Sequence, residues 1–370
     1  MYWQKTVYRG ILVAGVLLAL HTGFAQAAPI TIEEQGSFTV GGSYKQHEGT
    51  WVQENFVSEN GQRAYGDFAY VEYQKPVKAK KLPLIFQHGG AQSKRTWESG
   101  PDGREGFNTM FLRAGYSVYL VDQPRSGESN LSTEAVTPDT PWAGNPMYGD
   151  KTLYVLSRIG HYDEKGNPVP NAQFPAGEAN YQAFQQSWTI GSGPLDNDLN
   201  ADVLAKLFNQ QKDGAILVSH SMGGTIGWRT ALRTDKVKAI VAYEPGGTPF
   251  LFPETEMPKI TDARFQALSA SAMGVPMEDF LKLTKIPIIL YYGDYIKIGS
   301  ENVGEDKWGT EYAMAQQFVE AINRHGGDAT LVHLPDVGIK GNSHFLMQEK
   351  NNREILELAL KWLHEKGLDK

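Results

Sequence analysis

Cysteine is absent from all 370 residues. That single absence removes thiol nucleophiles, zinc–thiolate sites, disulfides and thiol-linked lipid anchors. Stability must therefore come from a large buried core. None of the nine histidines stands in an H-E-x-x-H or similar ligand spacing, so a metal is not expected. Positive charge is in deficit, with 35 Lys and Arg against 42 Asp and Glu for a formal charge of −7. Such a chain is a poor candidate for nucleic-acid binding. Internal repeats and low-complexity tracts are missing too.

The apolar run Ile11 to Leu20 falls short of the roughly 20 residues that a membrane span needs. Lys5 and Arg9 precede it and Ala25-Gln26-Ala27 follows it, the layout of a secretory signal peptide with a small-residue cleavage site. Residues 1–27 are thus expected to be removed near Ala27/Ala28, giving a periplasmic or secreted product with no stable membrane span. An uncleaved N-terminal anchor is the alternative. The rest, in a chain 41% hydrophobic and 21% charged, reads as an ordinary globular protein, one large domain over 28–370.

Residues 36–78 alternate apolar and polar, as in Asp67 to Tyr73, which predicts antiparallel strands. Beyond them come short continuous apolar runs: Leu84 to Gln87, Ser117 to Val121, Ala215 to Val218, Ala239 to Tyr243, Ile288 to Tyr292 and Thr330 to Leu334. Helical periodicity separates several of these runs. Val203, Leu204, Leu207 and Phe208 share one face behind Asn200, a candidate N-cap; Met314, Phe318, Ala321 and Ile322 share another, stopped by Gly326-Gly327; Ile355, Leu358, Ala359 and Trp362 share a third. Buried strands alternating with helices imply an α/β fold, a mostly parallel central sheet flanked by helices. Between about 130 and 200 the periodicity fails in a segment rich in Pro, Gly and aromatics, including Trp142, Tyr148, Tyr154, Tyr162, Phe174, Tyr181, Phe184 and Trp188. A stretch of that length is expected to be an inserted cap or a self-packed surface insertion. A smaller insertion is expected at about 248–285.

The run Ile216 to Gly224 carries the chemistry. An apolar strand breaks at Ser219-His220-Ser221-Met222-Gly223 and resumes as a helix, the outline of a nucleophile elbow centred on Ser221. The turn demands small residues two before and two after the serine; Gly223 is one, and Ser219 replaces the more usual Gly. A dinucleotide-binding turn, with Glu244 as the ribose carboxylate, would need glycines at 219 and 221. A serine nucleophile needs a base, an orienting acid and oxyanion donors. His88-Gly89-Gly90 follows the Leu84 strand, so the Gly90 and Met222 N–H groups are candidates for an oxyanion hole. For the base, His344 lies in a polar loop after the last strand. His333 sits inside that strand, His220 must point away from the turn, and His88 more naturally shapes its loop.

In the order oxyanion loop, serine, acid, histidine, these residues resemble the α/β-hydrolase superfamily. Asp122 to Ser129 resembles its D-x-x-R-x-G-x-S turn. A narrower likeness, in Trp97 to Arg104, Val218 to Ser221, Tyr243 to Gly246 and Gly341 to Asn352, is to exported bacterial carboxylesterases. In that group the acid is a Glu after the sixth strand, which corresponds to Glu244. In most of the superfamily it follows the seventh strand, three residues after a glycine, where this chain has Ile296; Asp294 is the alternative acid. The resemblance implies a serine esterase with the triad Ser221, His344 and Glu244, acting on a small-molecule ester. The aromatic segment suggests an apolar or aromatic substrate moiety. A lactonase or amidase using the same residues, or a catalytically silent binding protein on this fold, are the alternatives.

Overall fold

The computed structural model describes residues 28–135 and 149–370. The expected signal peptide, with Trp142 and Tyr148, lies outside them. The described residues from Thr31 to Lys370 form one compact unit. Its centre is an eight-stranded sheet. In chain order the strands are β1 (Ile32–Gln46), β2 (Arg63–Pro76), β3 (Leu84–Gln87), β4 (Val118–Asp122), β5 (Ala215–His220), β6 (Val237–Tyr243), β7 (Pro287–Tyr292) and β8 (Asp328–His333). They lie side by side as β1-β2-β4-β3-β5-β6-β7-β8. The two pairings of β2 are antiparallel, to β1 and to β4, and every pairing from β4 to β8 is parallel.

The sequence pattern accounts for this order. The alternating segment became the long β1–β2 hairpin at one edge, and the continuous apolar runs became β3 to β7, buried on both faces, with the half-buried β8 at the other edge. In β5 all six residues are buried. The helices α1 (Phe107–Arg113), α4 (Asn197–Asn209), α5 (Gly223–Arg233), α6 (Met277–Leu283), α7 (Val303–Arg324) and α8 (Asn352–Glu365) flank the strands. The three predicted helical faces are buried except for Leu358, which is partly exposed. Asn200 is not the cap of α4. Asp196 accepts from the N–H groups of Asp198 and Leu199 at 3.0 and 2.9 Å and starts the helix a turn earlier, leaving Asn200 inside it and buried.

Between β4 and α4 the chain inserts α2 (Asp150–Leu156), a short antiparallel hairpin (Gly160–Tyr162 with Pro168–Pro170) and α3 (Glu178–Gln186). Much of its aromatic content packs on itself: Tyr154 against Tyr162 and Tyr181, and Phe174 against Phe184, with ring centroids 5.2–5.4 Å apart. The later insertion pairs Phe250–Pro253 in parallel with Ala272–Val275.

Candidate active site

Ser221 sits where β5 gives way to α5, with φ at +54°. An L residue occupies that left-handed region only where its surroundings enforce it. The neighbours leave no room for side chains. A Cβ on Gly223 would lie 2.7 Å from the His88 carbonyl oxygen, one on Gly224 2.6 Å from Pro245 Cβ, and one on Gly89 2.8 Å from Ser221 Cβ. Ser219, two residues before, is fully buried. The chain therefore turns from strand to helix within van der Waals contact of the β3 and β6 loops, and Ser221 is held at the C-terminal edge of the sheet.

The β3 loop carries Gly90, where a Cβ would fall 2.1 Å from Met222 Sδ, so the loop backbone lies directly against the residue after the serine. His88 braces this loop, its ring nitrogens 2.7 Å from the Gly89 carbonyl and 3.4 Å from the Gln123 N–H. The Asp122–Ser129 turn supports it from below: Asp122 accepts the Lys94 and Glu128 N–H groups at 2.7 and 2.9 Å. Arg125 meanwhile makes a two-pronged pair with Asp67 at 2.8 and 2.9 Å.

On the other side, Glu244 closes β6 with φ at +47° and no solvent exposure. Its Oε2 lies 3.0 Å from His344 Nδ1. Its Oε1 accepts from the Gly293 N–H at 2.5 Å and from Arg158 Nη2 at 2.6 Å. Asp294 does not face the imidazole. Its carboxylate accepts the Tyr295 and Gly341 N–H groups at 2.7 and 2.9 Å, bracing the turn. Ile296 is packed against the core. His333 ends β8 and pairs with Asp336 at 3.3 Å. His220 points away from the turn, toward the His344 carbonyl at 2.9 Å.

The His344 loop is fastened from several directions. The His344 N–H donates to the Ser157 carbonyl at 2.9 Å, and buried Glu349 accepts the Ser343 N–H and Asn342 Nδ2 at 2.7 and 2.6 Å. Burial pushes the Glu349 carboxyl up to about 7, against the hydrogen bonds that favour its anion. The Trp308 ring lies 3.9 Å from the imidazole, centroid to centroid. Burial holds His344 well below its ordinary value, and the cations Arg158 and Lys307 push in the same direction. The ring is therefore neutral at neutral pH.

Ser221, His344, Gly90 and Met222 all line one cavity of about 500 Å³. The inserted segment adds Leu153, Leu156, Ser157 and Trp188 to its wall, and α7 adds Lys307, Trp308 and Glu311. Arg158 and Trp308 carry no motif in the sequence, and Glu349 lies within the Gly341 to Asn352 likeness without being singled out there. Arg158 in particular meets its partner across 86 positions of chain, inside the stretch where periodicity fails.

Residues 84–339 match the model of a family described as the alpha/beta hydrolase family. The chain belongs to that family. It is 27% identical to a probable secreted lipase, phiG, of a fungal species, over 96% of this chain and 97% of the lipase. It is also similar to a solved bacterial esterase, with 30% identity, a TM-score of 0.73, and coverage of 92% of this chain and 98% of the esterase.

Proposed function

We propose that this hydrolase cleaves carboxylic esters through an acyl-enzyme formed on Ser221, with His344 as base and Glu244 as acid. The observation that carries the reading is the 3.0 Å approach of Glu244 Oε2 to His344 Nδ1 at the wall of the cavity that Ser221 also lines. With a proton held on Nδ1 by the carboxylate, Nε2 is left as the acceptor. It takes the Ser221 hydroxyl proton as Oγ attacks the carbonyl carbon. The oxyanion is received by the Gly90 and Met222 N–H groups, each such donor contributing about 3–4 kcal/mol. Nε2 then protonates the departing alkoxide. Water, deprotonated by the same nitrogen, releases the acid and restores Ser221. The route calls for no cofactor.

Leu153, Leu156, Trp188, Leu268 and Phe345 on the cavity wall favour an ester with an apolar or aromatic moiety. The names of the two relatives, an esterase and a lipase, support ester substrates. The word "secreted" in one of them supports export. The substrate class is tested by comparing kcat/KM on an ester, a lactone and an amide of matched acyl group. The ester is expected to be fastest; a faster lactone or amide would reassign the reaction.

The depressed His344 gives a second expectation. Its neutral form is the base and a lowered value extends that form to lower pH, so the acid limb of kcat/KM for the free enzyme should have its midpoint below 6.5. A shoulder near 7 would belong to Glu349 and should vanish in Glu349→Gln. A principal limb above 6.5 that survives this substitution contradicts the assignment.

A further inference from the structure

Arg158 belongs to the inserted segment and not to the sheet. It follows Ser157, the C-cap of α2, has φ at +59°, and is only 1% exposed. Its Nη2 reaches Glu244 Oε1 at 2.6 Å, its Nε donates to the Asp294 carbonyl at 3.0 Å, and its guanidinium lies 5.3 Å from the Trp308 ring. The adjacent Ser157 carbonyl receives the His344 N–H at 2.9 Å. Trp308 Nε1 donates to Leu156 at 2.9 Å. One short turn of the insertion thus touches the acid, the base and the ring stacked on the base.

We propose that Arg158 is a positioning residue for the hydrolytic reaction, the insertion's own clamp on Glu244. With Arg158 and Gly293 both donating to Oε1, Oε2 is left to His344. The carboxylate can then turn only by breaking two hydrogen bonds. A merely structural role fits poorly. Burying an arginine is costly, its Nη1 finds no partner among the described residues, and an apolar side chain of similar volume would often serve stability as well or better. On this account the Leu156–Arg158 turn cannot swing away as a lid without releasing the acid. Access to the cavity must then come from other parts of its wall.

The inference rests on the reading of Ser221, His344 and Glu244 given above, and its test separates the two. The groups facing His344 are Glu244 at the end of β6, Arg158 in the insertion, Lys307 on α7 and His220 on β5, the last kept uncharged by burial. Glu349 and Asp294 brace its loop from behind. Removing the Arg158 cation relieves one of the two charges that hold His344 down. Arg158→Met should therefore lower kcat on the order of 10²-fold through a misplaced acid, leave KM little changed, and move the acid limb of kcat/KM to higher pH. Arg158→Lys should keep the limb in place and recover part of kcat.

Arg158→Gln is the second neutral variant should Met fail to fold. An unmoved limb with unmoved kcat in either folded neutral variant overturns the proposal. Where neither folds, Arg158→Lys decides: lowered kcat with the limb in place supports it, and wild-type kcat overturns it. Ser221→Ala is measured alongside. Activity surviving there removes the triad reading itself, whereas an inert Ser221→Ala with wild-type behaviour at position 158 removes only the role of Arg158.

Discussion

Ser221→Ala is expected to lower kcat on esters by about 10⁴-fold or more while the protein remains folded. The side chain lost is one hydroxyl at the cavity wall, so the packing that holds the turn is untouched. That packing comes from Gly89, Gly223 and Gly224, not from Oγ. Alanine shares the cost of the +54° backbone that serine already bears, so the melting temperature should change little. The residual rate measures what the oxyanion donors and substrate binding achieve without covalent chemistry. Steady-state kinetics with matched circular dichroism is the check. Most of the activity surviving in a folded variant would mean that the turn is a structural one.

Glu244→Gln should cost on the order of 10³- to 10⁴-fold in kcat at neutral pH. The geometry gives the reason. Oε1 accepts two donors, from Arg158 and Gly293, so a glutamine must place its carbonyl oxygen there and its amide nitrogen where Oε2 was. That nitrogen donates. It faces His344 Nδ1, which must then accept, and the ring proton moves to Nε2, the nitrogen required to receive the serine proton. Charge compensation for the imidazolium is lost in the same step. Asp294→Asn has a different expected signature. Its two oxygens accept the Tyr295 and Gly341 N–H groups, so one acceptor becomes a donor aimed at a donor. About 1–3 kcal/mol of stability should be lost, with far less effect on kcat. Kinetics and thermal melts on both variants distinguish the assignments, and the reverse ranking of kcat would move the acid to Asp294.

The legible parts of this protein are those governed by local pattern. Continuous apolar runs placed β3 to β7 within a few residues of where they lie, because a strand buried on both faces has little alternative composition. Ser221 and Gly90 could be singled out because the tight turn and the close loop each impose a requirement for small residues on a short stretch of sequence. Asn200 was misleading: it is a good capping residue, but Asp196 lies one turn earlier and made the same bonds first. Glu244 was reached only through family likeness. Its carboxylate meets His344 across 100 positions, and no local periodicity encodes such a meeting. Nor does local periodicity encode the contacts of Arg158 and Trp308, which reach Glu244 and Leu156 across 86 and 152 positions; Glu349 meets Ser343 and Asn342 within its own loop, in a pattern no repeat announces. The aromatic insertion was only partly readable. Tyr154, Tyr162, Tyr181 and Phe174 pack mainly within it, whereas Leu153, Leu156 and Trp188 face the cavity; composition alone does not separate the two sets.

The central claim is that an activated Ser221 forms a covalent intermediate, and the most direct measurement is its capture. The protein is treated with an active-site-directed fluorophosphonate, digested, and sequenced by mass spectrometry. The account predicts one modified residue, Ser221, with labelling in step with loss of esterase activity, and slow or absent labelling in Glu244→Gln. Full esterase activity in a protein whose Ser221 is quantitatively modified, or inactivation with the label on another residue, would contradict it.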